Sequence, residues 1–521
     1  MKNNQVIFFS ISEYDNLGVG YIASVVDEAG FKTKIMDIRY DKPELLNTVK
    51  SLDPLVIGFS IIFLNYIELF SDLIKDLRES GISCHFTAGG HYASLRYEEL
   101  FQTIPQLDSI VMFEGEYPMR ELASCLREGN DWKKIKNLAF KENGRIVSNP
   151  LRLPEKELDK FPFPSRSQIK EYAFGKKFSV IIAGRGCIHN CSFCNTREFY
   201  RRSGGPLKRI RIPGMVVNEM KILSNEKDCS VFIFHDDDFP VKSIEQPRWA
   251  KEFCNELAKA GLNNKILWKI NCRPDDVKEE SFSMMKKNGL YLVFLGLEDG
   301  TDNGLKSLNK QLTASENIKA INTLKKLDIG FDYGFMLFQP STTFITLGEN
   351  LDFLHQICGD GYTPVSFLRL VPLYETRVQK ELKKAGRLIL TDGITDYEFS
   401  EEPMNRFYYF ITNCFSNWQR TPDGVENISK WARNYCSVYM HYFNDNPAGT
   451  KFCRKIRNVI GESNLFLLNN MKKLAVIFET GSQDNDMLDS YEQKIESKHE
   501  FFKNELINTM AELVSFVEAM A

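Results

Sequence analysis

Three cysteines, Cys187, Cys191 and Cys194, fall within one short stretch, Gly186-Cys187-Ile188-His189-Asn190-Cys191-Ser192-Phe193-Cys194. Thiolates with three and two residues between them can grip one metal centre from a single loop, so the flanking elements must present this stretch as a loop. Cysteine thiolates are the usual protein ligands of iron-sulfur clusters, whereas a closed structural zinc site needs a fourth Cys or His at matched spacing. His189 is a candidate inside the loop, but recruiting it beside its neighbours would be cramped, and no second C-x-x-C follows. Disulfides between neighbours in one turn would be strained, and nothing suggests secretion.

A chain of 521 residues is expected to fold as several domains. Its net charge of -3 indicates neither a general nucleic-acid surface nor an anionic membrane partner. Apolar stretches such as 55–64 are interrupted by Gly58 and Ser60 and are too short for a membrane span. Residues 1–5 lead straight into a strand-like run without the apolar core of a signal peptide. A cytoplasmic location is expected, and the twelve cysteines suit a reduced compartment.

From the N-terminus, β-type runs alternate with helical patterns at 6–10, 22–29, 33–38, 45–52 and 55–61. The alternation continues with an amphipathic helix at 67–79, a strand at 83–88, a helix at 95–101, a strand at 109–113 and a helix at 118–127. Five strands with intervening helices predict an open, doubly wound parallel sheet of Rossmann-like type, whose ligands sit at the carboxyl ends of the strands. Asn16-Leu17-Gly18, Gly58-Phe59-Ser60, Ala88-Gly89-Gly90-His91 and Phe113-Glu114-Gly115-Glu116 fall at those ends. Their glycines would let the backbone approach a large planar or phosphate-bearing ligand, although glycine after a strand is also ordinary turn chemistry.

Residues 131–176 read as a linker with a hairpin. Runs at 138–140 and 145–147 flank Glu142-Asn143-Gly144, and Asn-Gly tolerates the positive φ of a tight turn. Pro150, Pro154, Pro162 and Pro164 then prevent regular helix or central strand. An apolar strand at 178–183 opens the next domain, and the cysteine loop leaves its carboxyl end. Strand patterns at 231–235, 266–271, 291–297, 331–338 and 365–371 alternate with helical ones at 216–223, 248–260, 277–288, 315–327 and 345–358. Six such units predict a partial (β/α)6 version of the TIM barrel, with its chemistry at the strands' carboxyl ends.

Asp236-Asp237-Asp238-Phe239, Asn271-Cys272-Arg273-Pro274 and Gly296-Leu297-Glu298 end successive strands and face the predicted mouth. Asp238 reads mainly as a turn former. Gln339-Pro340-Ser341-Thr342-Thr343 either touches substrate or sets a turn and caps the next helix. The basic run Arg201, Arg202, Lys208, Arg209 and Arg211 is either a solvated face or a site for a phosphate or carboxylate.

The C-x-x-x-C-x-x-C loop, with Phe193 before its last cysteine, resembles the signature of the radical S-adenosylmethionine (SAM) enzymes. The resemblance implies that Cys187, Cys191 and Cys194 hold three irons of a 4Fe-4S cluster, leaving the fourth iron to chelate the amino and carboxylate groups of SAM. The glycine-bearing loops before it resemble the cobalamin-binding domain of the cobalamin-dependent branch of that family, over about residues 1–130. By this resemblance Phe193, Arg273, Gly296 and Glu298 contact SAM, and Asn16, Leu17, Gly18, Ser60, Gly89, Gly90, His91, Glu114 and Gly115 contact cobalamin. A carboxylate suits ribose hydroxyls or an amino group, and a guanidinium suits a carboxylate. The Asp-x-His-x-x-Gly loop of the cobalamin domains of mutases is absent, because the first histidine is His85, so that mode of cobalt ligation is excluded.

The expected order is a cobalamin-binding domain at 1–130, the linker at 131–176, a radical SAM partial barrel at 177–375 and a helical substrate or lid region at 376–521. In the last region Phe407 to Phe410, Trp418, Trp431, Tyr435, Tyr439, Tyr442 and Phe443 are candidates for a lid or substrate wall, although Trp431, Tyr435 and Tyr439 recur at helical spacing, and such a stripe is more often core. An amphipathic helix at 491–521 is expected to dock across a domain or form a dimer contact. The resemblance implies a radical enzyme that cleaves SAM to a 5′-deoxyadenosyl radical and, with cobalamin, methylates an unactivated carbon. Its expected partners are a small-molecule or peptide substrate and an electron donor such as flavodoxin or ferredoxin. The alternatives are a radical SAM oxidoreductase, epimerase or rearrangement enzyme without methyl transfer, and a non-catalytic cobalamin or redox sensor.

Overall fold

A computed structural model of the chain describes residues 4–12, 14–166, 169–241, 248–391, 394–443 and 446–520. Residues 1–3 and Ala521, which enter the expectations about a leader and the last helix, lie outside them.

The first five strands, β1 (Gln5–Ser10), β2 (Lys32–Asp37), β3 (Val56–Ser60), β4 (His85–Gly89) and β5 (Ser109–Val111), pair in parallel in the order β2-β1-β3-β4-β5. Strand β1 is apolar on both faces because both are covered. Ile7 and Phe9 pack with Phe70, Leu73 and Ile74 of the helix Ile67–Glu79. Val6 and Phe8 pack with Val19 and Ala23 of the helix Leu17–Glu28 and with Met119 and Leu122 of the helix Glu116–Glu128. The connections from β1 and β3 diverge to opposite faces, which opens a crevice at the carboxyl ends.

Strands β6 (Leu138–Glu142) and β7 (Arg145–Ser148) form the expected hairpin, with Asn143 and Gly144 both at positive φ. It does not hang free as linker, however. Strand β6 pairs antiparallel with β5 and completes a seven-stranded sheet, because Leu138, Ala139 and Phe140 are buried there and the short β5 edge is thereby covered.

The second sheet has the order β15-β14-β13-β12-β9-β8, from β8 (Lys170–Ala173) and β9 (Lys176–Ile181) to β12 (Cys229–Phe234), β13 (Leu267–Cys272), β14 (Leu290–Glu298) and β15 (Gly330–Phe335). Between β9 and β12 the chain forms a separate antiparallel ribbon, β10 (Gly184–Gly186) with β11 (Lys208–Ile210). The five strands from β9 to β15 run parallel and β8 folds back on β9. Trp268, Ile270, Val293 and Leu295 face outward under the helices Glu279–Lys287, Ala314–Lys326 and Phe344–Cys358, so alternate residues line the concave face of a curled half-barrel. The expected sixth strand at 365–371 lies beside β15 but reduces to one parallel bridge, Phe338 with Arg369, between Pro364 and Pro372.

The C-terminal region is helical apart from one antiparallel strand pair, β16 (Leu388–Thr391) with β17 (Ile394–Tyr397). Leu467, Leu468 and Leu474 of the helix Pro447–Thr480 share a core with Leu347 and Leu351 of the barrel helix Phe344–Cys358. The helix Asn485–Glu518 buries Phe502, Leu506 and Leu513 against the same region, leaving Phe501 exposed. Of the aromatic stripe, Tyr439 is buried but Trp431 is exposed. Among the described residues no helix is long and apolar enough to cross a membrane.

Candidate active site

The cysteine loop leaves β10 at Gly186, whose φ is +88° and where a Cβ would run into the Leu207 carbonyl of the β11 side. Only glycine lets the ribbon close at that point. Three carboxylates fix the stem. Asp236 accepts hydrogen bonds from the N–H groups of Ala183 (3.0 Å) and Gly184 (2.7 Å), Asp237 accepts from Gly186 N–H (2.9 Å), and Asp238 pairs with Lys208 (2.7 Å). The Asp-Asp-Asp run therefore braces the loop, and Asp238 does more than make a turn. Burial pushes the Asp236 carboxyl up to about 7, against those two N–H donors.

Beyond the stem, Ser192 N–H donates to Leu308 O (2.9 Å), Val378 N–H donates to Ser192 O (3.1 Å), and Asn309 Nδ2 donates to Asn190 O (2.6 Å). Cys187, Cys191 and Cys194 are free thiols, all half-buried. Burial pushes the Cys187 thiol up to about 12 and also raises Cys191, which Lys310 and Arg273 oppose. Without a metal, burial thus favours the protonated form of Cys187 and Cys191, and a bound cation would reverse that preference. Three sulfur donors on one braced loop fit a cluster that keeps one iron open.

Next to this loop lie the mouth residues expected to meet SAM. Gly296 and Gly334 are register partners on β14 and β15, so the concave face has no side chain at either position. Glu298 follows at φ +67°, a backbone conformation costing about 1–3 kcal/mol for a side-chain-bearing residue, and it accepts from Lys310 Nζ at 2.9 Å. Arg273 is buried, with Nε on Asp275 (2.9 Å) and Nη2 on the Lys310 carbonyl (2.7 Å). Phe193 packs against Leu308, Met336 and Leu370. Lys310 was not singled out by any sequence pattern, yet it stands between Glu298 and Cys191; burial would lower its pKa, but the Glu298 carboxylate raises it. Lys310→Met is expected to destabilise the fold by about 3–5 kcal/mol in chemical denaturation, because it strands the Glu298 carboxylate. Most of that loss should be recovered in Glu298→Gln with Lys310→Met.

The crevice of the first sheet forms a cavity of about 620 Å³. Asn16, Leu17, Gly18, Ser60, Gly89, Gly90, His91, Glu114 and Gly115 all border it. Its opposite wall comes from the second unit, from Gly184, Arg185, Phe199, Tyr200, His235 and Asp237. Asn16 also accepts from Val19 N–H (3.1 Å) and so starts the helix Leu17–Glu28. Gly90 has φ +108°, and a Cβ there would stand 2.7 Å from the Ile61 carbonyl. Glu114 is tied across the interface to Arg185 (3.2 Å) and Arg209 (2.9 Å). Burial would raise its carboxyl, but these two guanidiniums hold it below the usual carboxylate range. The mainly apolar walls and glycine-bearing turns fit a large flat ligand such as a corrin.

Arg209 is thus part of the inter-domain contact, and the other members of the basic run are also paired. Arg201 and Arg202 meet Glu198, Arg202 meets Glu375, Lys208 meets Asp238, and Arg211 meets Asp159 and Glu219. Arg201 is exposed and meets only the nearby Glu198, whereas Lys208, Arg209 and Arg211 are buried or nearly so and neutralised by carboxylates from other segments, so the run as a whole is not a ready anion site.

Residues 10–123 match the family model of the B12 binding domain, and residues 181–354 match that of the Radical SAM superfamily. The chain belongs to the radical SAM enzymes with a B12-binding domain. An uncharacterized methyltransferase of Pyrococcus horikoshii is 26% identical over 435 residues, 81% of this chain and 87% of that protein. The anaerobic magnesium-protoporphyrin IX monomethyl ester cyclase of Cereibacter sphaeroides is 28% identical over 344 residues, 64% of this chain but only 55% of the cyclase. Among solved structures, the cobalamin-dependent SAM radical enzyme OxsB with aqua-cobalamin and SAM bound superposes with a TM-score of 0.67 at 15% identity, over 98% of this chain and 83% of that one.

The two domains imply a 4Fe-4S cluster with SAM, and cobalamin, as the cofactors of this B12-binding radical SAM enzyme. Its His91 ring stacks on Phe199 (centroids 4.0 Å apart, 6° between planes), and burial pushes the imidazole down from 6.5 to about 4. The unfolded chain binds that proton more readily, so this contribution to stability is complete above pH 6.5 and is lost as the pH falls toward 4. His91→Phe, which keeps the stack, is expected to flatten the fall of the urea midpoint between pH 6.5 and 4. An unchanged slope would assign the acid sensitivity to other groups.

Proposed function

We propose that the chain is a cobalamin-dependent radical SAM methyltransferase acting on an unactivated carbon of a small molecule or peptide. One observation carries this reading: a single cavity has one wall made by the strand ends of the B12-binding sheet and the other by residues that flank the cysteine loop or end barrel strands. When bound, the cluster with SAM would supply a radical that abstracts hydrogen from carbon, and cobalamin would supply a methyl carrier.

The chain's own residues bind and orient. Cys187, Cys191 and Cys194 would hold the cluster. Glu298 would receive ribose hydroxyls or the amino group of SAM, Arg273 its carboxylate, and Phe193 and the Gly296 backbone its remaining surface, with Lys310 setting the Glu298 carboxylate. Asn16, Leu17, Gly18, Ser60, Gly89, Gly90, His91, Glu114 and Gly115 would contact cobalamin. The low pKa of His91 keeps it uncharged at neutral pH, and no protein base is required to remove a proton from such a carbon. An external one-electron donor, a small protein such as flavodoxin or ferredoxin in a reducing cytoplasm, completes the reading.

The test is anaerobic reconstitution with iron, sulfide and hydroxocobalamin, followed by absorption spectroscopy and product mass. Bound cobalamin and a product heavier by one methylene unit are expected. A cluster without cobalamin, or a product without that gain, would instead favour a non-methylating radical oxidoreductase or rearrangement enzyme. The likeness to a cyclase supports that second reading.

A further inference from the structure

The concave face of the half-barrel holds a charge arrangement that neither the cluster loop nor the SAM-facing mouth uses. Trp268 and Ile270 of β13 pack outward, so Lys269 between them points into the lumen. On β14, Phe294 is 36% exposed although its strand is central, with Asn271 and Asp332 as register partners on either side. Gly334, the next inward position of β15, leaves the Phe294 ring edge open, since a Cβ there would already touch its Cζ at 3.5 Å.

Asp332 is claimed by Arg433 of the helix Val425–Tyr442, whose guanidinium also donates to Phe331 O (2.7 Å) and Thr363 Oγ1 (3.1 Å). Lys269 reaches Asp332 only at 4.0 Å and makes no hydrogen bond among the described residues. Arg433 Nε is buried without a partner. Lys430 is nearby but occupied by Glu426 at 2.5 Å. Three cations, Lys269, Lys430 and Arg433, thus face two carboxylates, Asp332 and Glu426. Burial holds the Lys269 pKa below the usual lysine range, which Asp332 opposes and Arg433 and Lys430 reinforce. His235, between this basin and the cavity of the first sheet, adds no charge at neutral pH: desolvation and then Lys269 lower its pKa.

We propose that the basin receives an acidic oxygen group of the substrate, a carboxylate or phosphate, with Lys269 as its principal partner and the open edge of the Phe294 ring against the adjoining carbon frame. The inference rests on the lumen being the substrate chamber of the proposed radical enzyme. It gives the helix Val425–Tyr442 a specific part, since Arg433 frees Lys269 by taking Asp332.

Amine protection tests it on the full chain without turnover, and therefore separately from any methylation assay: trace labelling of lysines with acetic anhydride, with and without inorganic phosphate, mapped by peptide mass. Phosphate held on the Lys269 ammonium keeps that amine protonated, so saturating phosphate should slow labelling of Lys269 about tenfold or more relative to the exposed Lys319, as a partly buried charge pair predicts. Asp332→Asn should bring the same protection at lower phosphate. A Lys269-to-Lys319 labelling ratio that phosphate leaves unchanged, or no labelling of Lys269 in its absence, would each overturn the proposal. The comparison within the wild-type chain decides it even if the variant does not fold.

Discussion

Replacing any one of Cys187, Cys191 and Cys194 by Ala is expected to remove the cluster and with it all reductive cleavage of SAM. The three thiols sit on one loop whose stem is braced by Asp236, Asp237 and Asp238 and whose far side is pinned to Leu308 and Val378. The loop should therefore keep its path in each variant, and the loss should be chemical. Even partners one shell beyond a metal are worth about 10–100-fold in metal affinity, so a lost thiolate should cost at least about 100-fold in iron retained. Cys125→Ala, half-buried in the B12-binding domain, is the control and should retain full iron. Iron content and anaerobic absorption of the reconstituted protein are the measurements. An alanine variant at one of the three positions that kept its iron would mean that the loop is not the cluster site.

Gly18→Leu is expected to expel cobalamin while leaving the fold at least as stable. Gly18 borders the cavity, and a Cβ there would meet only Asn16 Oδ1 at 3.4 Å before open space. It lies in the first turn of the helix Leu17–Glu28, where Leu is favoured over Gly by up to about 1 kcal/mol. The added side chain projects where the ligand would lie, so retention of hydroxocobalamin on gel filtration should fall about tenfold or more, with about 1.4 kcal/mol for each factor of ten. The melting temperature of the cofactor-free protein should not fall. Unchanged retention would place the corrin elsewhere, and a large loss of stability would show that Gly18 is there for the backbone.

Much of this site could be read along the chain, for a physical reason. A three-thiolate loop is local, and strand ends followed by glycine are local, so the four turns that border the cavity and the three cysteines stand out in the sequence itself. The residues that read wrongly depend on distant partners. Arg202, Lys208, Arg209 and Arg211 resemble an anion site only until Glu375, Asp238, Glu114 and Asp159 are brought to them. Residues 138–148 look like part of a linker until β5 supplies an edge for the hairpin. The strand expected at 365–371 does run parallel beside β15, held by Leu368 N–H on Phe335 O, Phe338 N–H on Leu368 O and Leu370 N–H on Phe338 O, although only one bridge forms.

By itself the sequence determined the β/α alternation, the order of the B12-binding and radical SAM units, and the metal-binding chemistry, because each is written in spacings of a few residues. Only the tertiary structure decided that the two units share one cavity, that Lys310 meets Glu298, and that Lys269 shares Asp332 with Arg433. These depend on whether a charge is buried and which opposite charge reaches it. Both are settled by packing between segments tens to hundreds of residues apart, and no local pattern records them.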